Sequence, residues 1–391
     1  MEGKDHHAIA RKQTGYVKRT PDEGSSSSLG KKQDSKTSED QMSSPSNRKV
    51  NRKEEERNAK SIELYLKQEK ELFLQSQQEP KLLLLGSADS GKSTLLKQLK
   101  IIHGNGFTNE ERDAVKISIV NSLLSACQTL INLSNDSNLK QKFNRLMLLD
   151  TSSECTMLIP PEIIETINEL WNMSEIQEVY DNQSVMPETT SYFFQNAGRV
   201  LQDDYIPSNE DILNFRKPTE HIHDTIFKIR DNPMHFIDVN GLKHTRKAWV
   251  PYFDDCNAIF FVASLSCYDQ MLVENDQINR MVDAIQLFES LINNPLLSKP
   301  NFVLFLNKKD LFEKKIKKVP ITNFFPDFQG DIYSMKQTVK FFHELFLATN
   351  KTSKTVLTNV TSITDTNTMR VIVHQVMQNV VMTNVKALLG T

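Results

Sequence analysis

The stretch over residues 86–94, GSADSGKST, has the side chains and the flexibility to hold a chain of phosphates. Its spacing fits G-x-x-x-x-G-K-[ST]. In that pattern successive backbone N–H groups wrap an anion, Lys92 reaches the outer phosphates, and the Ser93 hydroxyl offers a hard oxygen to Mg²⁺. Further along, Asp238-Val239-Asn240-Gly241 puts a carboxylate near such a metal and a backbone N–H near the terminal phosphate. By itself Asp-x-x-Gly is only a turn. Asn307-Lys308-Lys309-Asp310 adds a base reader, because guanine presents N–H donors at N1 and N2 that the Asp310 carboxylate accepts, and adenine offers no such pair. Alone, that tetrapeptide also reads as a Lys-rich helix cap. Three motifs in this order, each closing an apolar run, share nucleotide binding as their common meaning.

Such residues need a scaffold that brings strand ends together. Lys81-Leu82-Leu83-Leu84-Leu85 reads as a buried strand, and Leu95, Leu96, Leu99 and Ile102 mark the helix after the Gly-rich turn. Residues 225–229, 235–238, 258–263, 301–306 and 356–360 read as further strands. Between them Ile278, Met281, Val282, Ile285, Phe288 and Ile292 mark one helix, 339–346 another, and 367–388 a last one. The alternation predicts an α/β fold with a helix-flanked, mostly parallel sheet.

One long stretch breaks that alternation. Val115, Ile119, Leu123, Ala126 and Leu130 form one apolar row, and Ile117, Val120, Leu124, Cys127 and Ile131 a second beside it, the pattern of a helix at the centre of a bundle. Pro160-Pro161 opens another helix carrying Ile163, Ile164, Ile167, Leu170 and Trp171, and 192–201 reads as one more. An all-helical insertion over 104–211 is expected, dividing an α/β domain of 80–103 and 212–391.

The composition is that of a globular chain: 391 residues, 38% hydrophobic, 25% charged, 47 basic against 49 acidic side chains. Residues 1–53 hold 12 of the basic and 7 of the acidic groups, with nine apolar residues and no Phe or Trp. They are expected to be a disordered Ser/Lys-rich extension. From 54 to 79 the pattern turns helical until Pro80 closes it. No stretch reaches the roughly 18 consecutive apolar residues of a membrane span, and no apolar leader is seen, so a cytoplasmic chain is expected. Cys127, Cys155, Cys256 and Cys267 lack paired spacing, which argues for reduced, mostly buried thiols.

The segments LLLLGSADSGKSTLLKQLKIIHGNGFT, DYIPSNEDIL, FIDVNGLKHTRKAW, FLNKKDLFEKKIKK and TDTN occur in the order found in heterotrimeric G-protein alpha subunits, which the chain resembles over roughly 52–391. The resemblance implies a Ras-like P-loop GTPase domain with an inserted all-helical domain, binding GTP/GDP with Mg²⁺. It implies that Gly86, Asp89, Ser90, Gly91, Lys92, Ser93 and Thr94 cradle the phosphates, that Ser93 and Thr219 are the two hydroxyl ligands of Mg²⁺ with Asp238 behind them, and that Gly241 meets the γ-phosphate. Arg216 would stabilise charge in the transition state. Asn307 and Asp310 would hold guanine, Lys308 would stack on it, and Ser362-Ile363-Thr364 would line its far edge. Glu188, Thr189 and Leu213 fall where the helical insertion touches the nucleotide. The partners implied are a beta-gamma dimer docked on 54–79, a seven-helix receptor and downstream effectors, with peripheral contact at the inner face of the plasma membrane and no nucleic acid.

Departures from the family pattern carry their own expectations. Leu242 stands at the water-orienting Gln, and Ala88 and Asp89 replace a phosphate-loop Gly and Glu. Asn240 replaces a Gly, Lys243 an Arg, Thr245 a Glu and Ile363 a small Ala, while Pro218 and Glu220 flank Thr219. Slow hydrolysis with intact binding is the expectation; a non-cycling, nucleotide-bound scaffold acting through partners is the alternative. Glu2 rather than Gly follows Met1 and no Cys precedes Cys127, so direct lipid anchoring is not expected; the final NVKALLGT departs from the usual receptor-reading tail. His221-x-His223 lacks a third ligand for a metal and reads as an exposed polar pair.

Overall fold

The computed structural model describes residues 60, 79–151, 159–183, 186–217, 219, 221–229, 232–272 and 274–389. The extension 1–53 and the helix expected over 54–79 lie outside them apart from Lys60 and Glu79, as do Cys155, Pro218 and Glu220. The strands are β1 (Lys81–Leu85), β2 (His223–Ile229), β3 (Asn232–Asp238), β4 (Ala258–Ser264), β5 (Met271–Leu272), β6 (Asn275–Asn279), β7 (Asn301–Asn307) and β8 (Val356–Val360). Six of them form one sheet in the order β2-β3-β1-β4-β7-β8, parallel except where β2 pairs antiparallel with β3. Five parallel strands therefore end on one edge of the sheet, and the phosphate turn, Asp238–Gly241 and Asn307–Asp310 all sit at such an end.

The apolar runs owe their continuity to burial on both faces. Leu83, Leu85, Ile259, Phe261, Ala263, Phe302 and Leu304 face helices Arg280–Ile292 and Met335–Ala348. Leu82, Leu84, Phe260, Val262, Val303 and Phe305 face the other way, packing with Leu95 and Leu99 of helix Lys92–His103 and Met369 and Val373 of helix Thr366–Leu389. Alternation of period two within one apolar run thus serves two cores.

A third core belongs to the helical stretch. Helix Asn109–Leu133 starts at a capping box, Thr108 with Glu111, and buries Ile119, Leu123, Leu124, Cys127, Leu130 and Ile131. By length and composition alone it could cross a membrane, but it packs against Phe143, Ile163, Ile167, Leu170, Phe193, Phe194 and Val200. Pro161–Trp171 is a helix as its prolines predict.

Some elements differ from expectation. The single helix expected over 192–201 is two, Thr190–Gln195 and Ala197–Val200, because the Asn196 side chain donates to the Tyr192 carbonyl at 2.8 Å and competes with the backbone there. Ile278 lies in β6 and not in the following helix, since Asn279 caps the N–H groups of Met281 and Val282. The β5–β6 hairpin and a 3₁₀ segment over Lys243–Tyr252 have no counterpart in the sequence pattern.

Candidate functional site

The turn after β1 is built for close approach. Gly86 has φ of 141°, and a Cβ there would stand 2.2 Å from the Val262 carbonyl oxygen; Gly91 has φ of 108°, and its Cβ would meet Asn307 Nδ2 at 2.2 Å. Asp89 also takes a left-handed conformation, φ 57°. The Lys92 ammonium donates to the carbonyls of Gly86 and Ser87 at 3.1 and 2.9 Å. Burial pulls it down to about 8 against the attraction of Asp238 and Asp89, leaving a cation that gains from an anionic neighbour.

A cleft of about 560 Å³ opens above this turn. Of the residues singled out in the sequence, Asp89, Ser90, Gly91, Lys92, Ser93, Thr94, Glu188, Thr189, Leu213, Arg216, Thr219, Gly241, Leu242, Asn307, Lys308, Asp310 and Ile363 line it. Gly86 and Asp238 do not: the first shapes the turn, and the second stands behind Ser93. The Ser93 hydroxyl donates to Asp238 Oδ2 at 2.7 Å and lies 2.7 Å from Thr219 Oγ1, which then supplies its own proton to Ser93. Asp238 Oδ1 is buried without a partner. Among the described residues no three His, Cys, Asp or Glu could hold a metal, so the donor set is two hydroxyls backed by a carboxylate. Hard oxygens that leave most positions to water and phosphate suit Mg²⁺.

At the base end Asn307 acts as a latch. Its Nδ2 donates to the Ser90 carbonyl at 2.8 Å and its Oδ1 accepts the Ile363 N–H at 3.0 Å, tying the phosphate turn to the loop after β8. Asp310 is exposed to the cleft, with its backbone N–H on the Ser362 hydroxyl at 3.2 Å. Ile363 turns into the core with Leu95, Leu99 and Met369, only 2% exposed. Its branched chain forms the floor there.

Lys308, in a left-handed conformation at φ 60°, bridges Asp89 and Glu188, each at 3.1 Å. Glu188 also meets Lys315 at 2.9 Å and accepts from Ser266 at 2.6 Å and Gln270 at 3.0 Å. Burial alone would raise Glu188, but Lys308 and Lys315 hold it at about 2; Asp89 reaches about 2 in the same way through Lys308, Arg216 and Arg280. Arg216 Nε lies 3.4 Å from Asp89. With Lys318 on Asp181 at 2.6 Å, these pairs join the helical stretch to the sheet across the cleft.

At the other end stand Ala88, Asn240, Gly241 and Leu242. A Cβ on Gly241 would meet Lys92 Nζ at 2.5 Å and the Ala88 nitrogen at 2.7 Å, so only glycine allows this approach. Leu242, with its apolar side chain, is among the residues lining the cleft, and the Thr245 hydroxyl donates to the Leu242 carbonyl at 2.8 Å. His221 and His223 are exposed.

Several contributors carry no signal in the sequence. Lys97 donates to the carbonyls of Ile212 and Phe215 at 2.9 and 2.8 Å, fixing the segment that carries Arg216. Arg280 donates to the Ala88 carbonyl at 2.7 Å from 192 residues away. Arg246 grips Asp283 through two bonds. Only Lys315 left a trace, standing about two helical turns after Lys308.

Comparison with known proteins agrees with this geometry. The family model described as G-protein alpha subunit matches residues 56–380. The chain is 37% identical over 318 residues to the guanine nucleotide-binding protein alpha-9 subunit of Dictyostelium discoideum, covering 79% of this chain and 92% of that protein. It is 32% identical over 356 residues to subunit alpha-13 of Homo sapiens, covering 86% and 93%, and 33% over 323 residues to the alpha-3 subunit of Caenorhabditis elegans, covering 80% and 91%. The chain belongs to the G-protein alpha-subunit family: a Ras-like GTPase fold with a helical domain, a guanine-nucleotide-binding signal transducer. Membership brings beta-gamma, receptor and effector partnership in general.

Proposed function

We propose that this alpha subunit is a guanine-nucleotide switch that keeps its binding apparatus and hydrolyses GTP slowly. The observation that carries the reading is the contrast within one cleft: all three nucleotide motifs converge on it, while the side chain at the water-orienting position is Leu242. Ser93 and Thr219 would hold Mg²⁺ with Asp238 accepting behind them; the ion, when bound, neutralises phosphate charge. Asp310 would take the two donors of guanine, with Lys308 against the ring and Asn307 securing the loops beneath it.

In-line attack needs a water oriented by a hydrogen-bonding group. Leu242 has neither donor nor acceptor, and the Ala88 methyl narrows the turn nearest the γ-phosphate. Arg216 remains to stabilise charge, which supports a slow residual turnover. The division into 80–103 with 212–391 and a helical 104–211 fits the separate cores. A beta-gamma dimer on 54–79, a seven-helix receptor and peripheral membrane contact complete the reading. Purified full-length chain should carry guanine nucleotide and show Mg²⁺-dependent retention of it, with single-turnover hydrolysis slower than that of an alpha subunit bearing Gln. Adenine nucleotide in the purified protein, or hydrolysis at the ordinary rate, would refute the assignment.

A further inference from the structure

The loop that closes the phosphate end lacks an amide where Leu242 stands, yet it carries one two residues earlier. Asn240 lines the same cleft, next to Gly241, where a Cβ would meet Lys92 Nζ and the Ala88 nitrogen. Its main chain is pinned: the Asn240 carbonyl accepts the Trp249 indole N–H at 3.1 Å and the Thr245 hydroxyl at 3.2 Å. Its side chain is oriented as well, because Oδ1 accepts the Leu242 N–H at 2.9 Å. Trp249, 2% exposed, anchors the far end of this arrangement in the core. Fixing Oδ1 leaves Nδ2 as the free end of the amide, and among the described residues it donates to no protein atom. An amide with one end fixed, on a cleft-lining residue whose backbone is pinned, is the arrangement that can stabilise developing charge without reorganising.

We propose that Asn240 contacts the reacting group: its Nδ2 donates to a non-bridging oxygen of the terminal phosphate, supplying an amide contact that Leu242 cannot. This rests on the GTP reading of the cleft. In the hydrolysis, a water oxygen forms the new bond to the terminal phosphorus, the bond from that phosphorus to its bridging oxygen breaks, the electron pair leaves with GDP, and both water protons leave on dihydrogen phosphate. Asn240 gives up no proton. It holds the phosphoryl oxygen as charge shifts around it.

The competing role is a brace, in which only Oδ1 matters. Asn240→Ser separates the two by reach, since its hydroxyl oxygen can still accept the Leu242 N–H while its single proton sits one bond short of where the amide Nδ2 extends. With full-length protein, a non-hydrolysable GTP analogue and GDP as probes, Asn240→Ser should lose about tenfold in single-turnover rate and about tenfold in analogue affinity with GDP affinity unchanged. In the Leu242→Gln background, where the new amide orients water and leaves the phosphoryl oxygen to Asn240, the rate loss should stay near tenfold. Analogue affinity and rate retained by Asn240→Ser would show a brace and overturn the proposal. So would equal losses for GDP and analogue, or a rate loss that disappears when Asn240→Ser is combined with Leu242→Gln. Wild-type protein that binds neither probe would instead sink the nucleotide reading itself, before any variant is made.

Discussion

The two ends of the cleft are held by different means. At the base end, Asn307, Lys308, Glu188 and Asp89 share a dense set of bonds that spans the phosphate turn, the loop after β8 and the helical domain. At the phosphate end the loop holds itself, through Asn240, Thr245 and Trp249, and the Leu242 side chain has no polar atom. Charged groups that are buried must be paired or they cost several kcal/mol each, so the base end resists change. At the phosphate end the buried charges are Lys92 and Asp238, and the segment Asn240-Gly241-Leu242 carries none. On the proposed reading, binding and hydrolysis separate in one fold, because the groups assigned to retaining the nucleotide are not those assigned to activating water.

The sharpest way to break the comparison is at the base. Asp310→Ala removes the acceptor for both guanine donors and should weaken GDP binding roughly a thousandfold, while ATP remains a poor competitor. Equal competition by ATP and GTP in the unmodified protein would mean that the base end does not read guanine.

The next effect lies at the phosphate end. Leu242→Gln should raise single-turnover hydrolysis by about 10- to 100-fold, and adding Ala88→Gly should raise it again, with GDP affinity unchanged. A quench-flow time course checks this. A faster rate with Ala88→Gly alone and none with Leu242→Gln would assign the deficit to the turn.

Glu188→Gln sharpens the contrast between the ends, since it weakens the clamp across the cleft and leaves the phosphate loop intact. Nucleotide release should quicken about three- to tenfold, read with a fluorescent GDP, while the rate of the chemical step stays put. The pH dependence follows from the sign. Glu188 and Asp89 sit at about 2 in the folded protein, below their ordinary values, so their stabilisation is complete at neutral pH and is lost as pH falls from about 5 towards 2. The melting difference between wild type and Glu188→Gln should close over that range.

The smallest effect is a control remote from both ends. His235 bridges Glu79 and Asp224 at 2.8 and 2.9 Å, and although burial opposes it, the two carboxylates raise its pKa. A raised folded value means the contribution is present below about 6.5 and fades as pH rises through the folded pKa. His235→Gln should therefore lower the melting temperature by about 2 °C at pH 6 and by less at pH 8, with nucleotide affinity and hydrolysis untouched.

The phosphate turn, the five strand ends and the helical stretch were legible because each is written in neighbouring residues: glycines at fixed spacing, a run of leucines, apolar steps of three and four. Leu242 stands out only through the family resemblance, which marks its position as that of a water-orienting Gln. What only the tertiary structure decided is which distant groups meet. Asp238 stands behind Ser93 and out of the cleft, Ile363 turns into the core, and Asn307 commits its amide to two loops. Arg280 finds the Ala88 carbonyl, and Lys315 finds Glu188 from 127 residues away. The physical reason is that a charge or an amide has many acceptable partners in a chain, and packing selects one; a backbone turn and an apolar face are set by the local sequence that makes them.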